Sequence, residues 1–284
     1  MPESTVISDA LEGLRVGDVP DLDFSTLVGL VNEPNMPSGG GRTIRRVIDM
    51  ARLRPGVRVL EVGSNTGYTS IEFASWIDGE VVGVDVNPVS TAFATEKAAR
   101  HGLDNVRFDV ADGTDLPYRD GTFDLVYCSN VTSFMTDHRG ARDEYYRVLA
   151  PRGVLAAVPI YYASPPPDDL RRRVGAAIGV DLPVTDQDYW RDLFSDDGST
   201  LIDQETYAYV RQSPESIAAY VRSVLDQPHL ARLDARVLDA VGRRLAYFYE
   251  LFDENLGYAR YDILMYRRGH PNPERVLHQS RAVR

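Results

Sequence analysis

The run Val59-Leu60-Glu61-Val62-Gly63-Ser64-Asn65-Thr66-Gly67-Tyr68 is a β-rich apolar segment ending in a carboxylate and a glycine, followed by a turn whose last glycine opens a helical stretch. Glycines at such a turn let backbone approach a ligand closely. Open α/β sheets bind their ligands at the carboxyl ends of their strands, and the helix that follows directs its amides there. A second β-rich run, Val81-Val82-Gly83-Val84-Asp85, ends in a carboxylate about twenty residues beyond the turn, the position suited to gripping two ribose hydroxyls. The pair predicts a nucleoside. A dinucleotide turn wants glycine at its first, third and sixth places, so that a pyrophosphate can rest on backbone amides. Here those places hold Gly63, Asn65 and Tyr68, and two of the three fail. Glu61 adds a carboxylate that would repel a diphosphate and attract an ammonium group. The residues favour a nucleoside with an amino-acid tail.

Over roughly Pro55 to Ile160 these residues resemble the class I S-adenosylmethionine-dependent methyltransferases, in particular the broad group that includes ubiquinone-biosynthesis and natural-product enzymes acting on small molecules. Glu61-Val62-Gly63-Ser64-Asn65-Thr66-Gly67 is similar to the family's acidic-x-Gly-x-Gly-x-Gly loop, with Asn65 in place of the middle glycine. Ala111-Asp112-Gly113, ahead of Leu116-Pro117-Tyr118, is similar to the segment whose acid contacts the adenine amino group. Phe123-Asp124-Leu125-Val126 resembles the fourth strand. Tyr146 to Gly153 resembles the helix-to-strand corner Arg-Val-Leu-x-Pro-Gly-Gly, from which Arg152 departs. The resemblance implies S-adenosylmethionine as cofactor, with Asp112 on adenine, Asp85 on ribose, and Gly63 and Gly67 on the methionine moiety. It implies a wider cofactor site that takes in Glu61, Ser64, Asn65, Val86, Ala111, Gly113 and Ser129. It further implies methyl transfer to an O or N atom of a small-molecule acceptor, with secondary metabolism as the expected setting. Carbon methylation, or a non-catalytic protein that keeps the nucleoside site, remain alternatives. The methyl of a sulfonium is already activated, so alignment and exclusion of water are the main demands on the protein and no metal is needed.

Residues just past strand ends on the cofactor rim are candidates for the acceptor pocket: Ser129 and Asn130 after the fourth strand, Tyr161 and Tyr162 after the fifth. Asn130 could orient an acceptor, and Tyr161 could supply an aromatic wall. Among the histidines, His138 sits beside the predicted helix cap Asp137 and reads as structural, so His229 is the preferred base. Asn130, Tyr161 and His229 are the catalytic candidates. The stripe Tyr247, Phe248, Leu251, Phe252 recurs at helical spacing and reads as core.

The elements that would position these residues alternate as βαβ units do. Strands are predicted at Arg58–Val62, Glu80–Asp85, Val106–Val110, Phe123–Cys128 and Gly153–Ile160, with helices at Gly67–Ile77, Pro88–His101 and Asp137–Leu149. The fold class is α/β, a doubly wound, mostly parallel sheet. Thr200–Gln212 and Tyr258–Arg267 would close its edge. Residues 1–54 form a helical cover containing the Asn/Pro/Gly-rich loop 32–41. The α/β core takes 55–212 and 257–268. Between its parts, 213–256 is an inserted helical cap interrupted at Gln227-Pro228, and 269–284 is a polar tail.

Composition sets the outer bounds. A chain of 284 residues can bury one large α/β core. Its 31 basic and 42 acidic side chains, net -11, oppose nucleic acid or an anionic membrane as partner. Cys128 is the single cysteine, which rules out an internal disulfide and fits a reducing compartment. The first residues lack a basic start followed by an apolar run, and nothing later is apolar enough to span a bilayer. Cytoplasm is the expected location, with a homodimer left open. Lys97 is the sole lysine, to which the sequence assigns no role.

Overall fold

The computed structural model describes residues 5–182 and 184–269; the predicted polar tail therefore lies almost wholly outside the described residues. Eight strands form one sheet: β1 (Val57–Val62), β2 (Gly79–Asp85), β3 (Val106–Val110), β4 (Phe123–Ser129), β5 (Leu149–Val158), β6 (Ile160–Tyr162), β7 (Ser199–Ala208) and β8 (Ala259–Arg268). The first five run parallel in the order β3-β2-β1-β4-β5. β8 lies antiparallel to β5 and, beyond it, to β6, and carries β7 antiparallel on its other edge. The strand expected over 153–160 is interrupted because Pro159 has no N–H to give the ladder; the amide of Asp262 reaches over to the Pro159 carbonyl. The strand expected to reach Gln212 stops at Ala208. Its continuation turns instead to Asp253, which accepts from Arg211 and from the Gln212 amide.

Buried on both faces, the central strands are apolar at nearly every position, as a parallel sheet requires. Their alternation sorts two cores. Leu60, Val126, Leu155 and Leu264 face α6 (His138–Val148) and α8 (Gln187–Phe194). Val59, Leu125, Ala156 and Ile263 face α3 (Gly41–Ala51) and α4 (Tyr68–Trp76). Helix starts are capped locally: Asn87 caps α5 (Pro88–Arg100), with Pro88 in the first turn, and Asp137 and Asp186 cap α6 and α8.

A third core belongs to helices alone. It joins α1 (Thr5–Glu12), α2 (Phe24–Leu30), α5, α7 (Asp168–Ile178), α9 (Pro214–Leu225) and α10 (Ala235–Leu256), through Leu27, Phe93, Val174, Val221, Leu245 and Phe248 among others. α9 and α10 occupy the stretch between β7 and β8, joined by a 3-10 turn at Pro228–Arg232. Among the described residues no helix is long and apolar enough to cross a membrane.

Candidate active site

The glycine turn is built on backbone geometry that its residue types permit. Gly63 and Gly67 sit at φ 80° and 86°, and Asn65 at φ 45°, the left-handed region that Gly enters freely and Asn tolerates best among the others. That tolerance explains how Asn65 replaces a glycine. Arg152, the other departure, also has positive φ, 67°. The amides of Gly63 and Ser64 both donate to the Val84 carbonyl, at 2.8 and 2.9 Å, which ties the turn to β2. Asp85 completes the tie: one carboxylate oxygen accepts from the Asn65 amide and the other from the Asn87 amide, each at 2.9 Å.

Glu61 points from β1 to the α4 face, where the Ser70 hydroxyl donates to it at 2.5 Å. Burial pushes its carboxyl up to about 8, against the lowering effect of hydrogen bonds from Ser70 and Thr69. It is therefore largely protonated at neutral pH, and a nearby ammonium would favour its ionised form. Among the described residues the buried Ser64 hydroxyl has no partner, an orphan that a ligand can satisfy. Asp112, just past β3, accepts from the amide and hydroxyl of Thr114, while Val86 beyond β2 is exposed. The Ala111 amide donates to the Asp85 carbonyl, so the rims of β2 and β3 are joined. At Gly63 and Gly113 a Cβ would stand 2.6 Å from Val131 and Met135 respectively. The chain after β4 thus lies close over both glycines. Carboxylates at the ends of β1, β2 and β3, an unpaired hydroxyl and glycine-lined backbone fit a nucleoside with an amino-acid tail.

Beside Glu61 and Gly63 opens a cavity of about 500 Å3, within the range of small-molecule sites. Its floor is Glu61, Gly63, Thr69, Ser129 and Asn130, and its far wall is Phe24, Val174, Ile178, Phe252 and Leu256 from the helical layer. Loop 35–40 forms another side, held by a 2.5 Å hydrogen bond between Ser38 and Tyr209 hydroxyls.

Two of the three catalytic candidates reach this cavity. Asn130, at φ 55°, lines it with its amide oxygen accepting from Ser133. Tyr161 lines it too, but its hydroxyl donates to the buried Asp262 at 3.0 Å. Asp262 also accepts from Gln187, Gln204 and Thr206, so the Tyr161 hydroxyl belongs to a structural network. His229 does not line the cavity. It sits in the Pro228–Arg232 turn with Nε2 3.2 Å from the Leu30 carbonyl and its ring against Phe93. Sequence spacing placed it in the cap but gave no direction for the ring. His138, read as structural, is the histidine that lines the cavity. Its Nδ1 lies 2.7 Å from the Tyr189 hydroxyl, its ring packs on Trp190, and burial holds it below the ordinary histidine value.

Sequence reading also missed residues that support the turn. Lys97 donates to the Thr66 carbonyl at 2.9 Å, and the Thr66 hydroxyl donates to the Glu33 carbonyl at 2.6 Å. Glu33, buried, accepts from the Asn35 amide and from the Tyr220 hydroxyl. The one available signal was Lys97's being the only lysine.

Residues 60–157 match the model of the methyltransferase domain family. The chain is 38% identical to demethylmenaquinone methyltransferase of Thermus thermophilus over 124 residues, 43% of this chain and 54% of that protein. It is 34% identical to nocamycin O-methyltransferase of Saccharothrix syringae over 149 residues, 49% of this chain and 51% of that one. Over this matched segment the chain is similar to class I S-adenosylmethionine-dependent methyltransferases. The crystal structure of MccD protein shares the fold, with a TM-score of 0.68 and 22% identity over 82% of this chain and 99% of that one. Matches to the first four curated relatives span 24%, 32%, 54% and 49% of their lengths. The matched segment holds the glycine turn and the ends of β2, β3 and β4. The helical layer that supplies the cavity's far wall lies mostly outside it.

Proposed function

We propose that this chain transfers a methyl group from S-adenosylmethionine to an O or N atom of a small molecule held in the cavity. The observation that carries the reading is the continuity of that cavity with the glycine turn: Glu61 and Gly63 line the same space as Ser129, Asn130 and the apolar wall. Asp112 would hold adenine, Asp85 the ribose hydroxyls, and Glu61, Gly63 and Gly67 the methionine end. When bound, the cofactor supplies a methyl already activated by its sulfonium. The residues of this chain do the rest. The floor would orient the acceptor toward the methyl group, and the helical layer would exclude water. For a hydroxyl acceptor, His138 on the cavity wall would be the group to take the released proton.

The test supplies methyl-labelled donor with a fractionated extract and identifies the product by mass. A labelled small molecule is expected, and its formation should fall at least tenfold in Asp85→Ala, as a site deprived of its ribose partner requires. Label in a macromolecule, or none in any fraction, overturns the reading.

A further inference from the structure

The cavity contains two carboxamides whose hydrogen bonding is half complete. Asn255, on the last turn of α10, is 8% exposed and lines the cavity. Its Oδ1 accepts from the Tyr162 hydroxyl at 2.9 Å, which turns Nδ2 the other way; among the described residues nothing accepts from that nitrogen. Asn130 repeats the arrangement at the floor, its Oδ1 accepting from Ser133 at 2.9 Å, again with no acceptor for Nδ2 among the described residues. Neither nitrogen is among the fully buried unpaired side-chain atoms, so both remain accessible while lacking an acceptor among the described residues. A carboxamide whose oxygen is fixed and whose NH2 is unpaired presents donors to whatever fills the space.

The surroundings narrow what that is. Around Asn255 the wall is Val174, Ile178, Leu182, Phe252 and Leu256, and among the described residues no arginine or lysine lines the cavity. A phosphate or carboxylate brought in here would be desolvated without a cation to pair with it, which is strongly unfavourable. Glu61, the one acid among the described lining residues, is assigned by the proposed function to the amino end of the cofactor.

We propose that the acceptor is an uncharged, largely apolar molecule carrying a carbonyl or ether oxygen, and that Asn255 is the specificity-determining residue that reads this oxygen. The proposal rests on the methyl-transfer reading of the same cavity. Tyr162 is a positioning residue for Asn255, and Asn130 presents a second donor near the reacting end.

Three probes separate the features: 6-acetyl-2-naphthol, 2-naphthol and 2-naphthyl phosphate, each titrated calorimetrically with and without S-adenosylhomocysteine. The acetyl compound should bind about tenfold tighter than 2-naphthol, the worth of one hydrogen bond in a closed site, and the phosphate more weakly than either. Asn255→Leu should abolish the tenfold preference while keeping affinity for S-adenosylhomocysteine, which also certifies its folding. Tyr162→Phe, which leaves the carboxamide but releases its oxygen, should reduce the preference to about threefold. Tight binding of the phosphate, failure of the acetyl probe to bind, or a preference that survives Asn255→Leu overturns the proposal. Absence of binding by S-adenosylhomocysteine itself overturns the methyl-transfer reading instead.

Discussion

Glu61 is a buried acid whose protonation state would change on arrival of the ammonium group that the proposed function brings to it. Its carboxyl is pushed up to about 8 by burial, so at pH 7 it holds its proton, and the amino group of the ligand would make the ionised form the better one. Binding of S-adenosylhomocysteine at pH 7 should therefore release up to about one proton. Calorimetry in buffers of different ionisation enthalpy checks this; Glu61→Gln should remove the buffer dependence and weaken binding, and heats independent of buffer in the wild type would refute it. The position of Glu61 on the cavity side of the glycine turn was legible from residue type and spacing alone. The exchange of His229 for His138 was not. Both lie next to helix-start signals, and only the packing of Trp190 and Tyr189 against His138 and of Phe93 against His229 settles which imidazole meets the cavity.

The β1–turn–α4 unit and the helical layer behave differently as elements. At Gly67 a Cβ would stand 2.7 Å from the Ala94 side chain and 2.8 Å from Phe108, at a φ of 86°. Gly67→Ala should lower stability by about 1–3 kcal/mol through overpacking and backbone strain, measured by urea unfolding; a loss below a few tenths would show that the turn can relax. The helical layer is bound to loop 32–41 by specific hydrogen bonds. Gln227 accepts from Asn32 and donates to the carbonyls of Val31 and Asn32, all at 3.0 Å. The same segment reaches the glycine turn through Glu33 and Thr66. Gln227→Ala should raise amide exchange both in residues 30–35 and in the Thr66 turn, and S-adenosylhomocysteine should slow exchange in all of these together. Exchange that rises only at 30–35 would mean the connection to the turn carries no coupling.

At the scale of the whole molecule, Glu61 also leaves a signature in stability. Its folded value lies above that of the unfolded chain, so the folded state binds the extra proton between pH 4.5 and about 8. Stability from this group is greatest below pH 4.5 and falls as pH rises to about 8, by on the order of 4 kcal/mol in all. Unfolding midpoints at pH 5 and pH 8 should differ more in the wild type than in Glu61→Gln; equal differences would refute it. The sequence alone determined the parallel core and the placing of acids at the ends of its first strands, because periodicity, caps and glycine turns act over a few residues and report local structure directly. Only the tertiary structure decided what surrounds the acceptor. Phe24, Val174, Asn255 and Tyr162 are separated by up to 231 positions (24 to 255) and meet in one wall, and contacts at such separation depend on how helices dock, which no local pattern encodes.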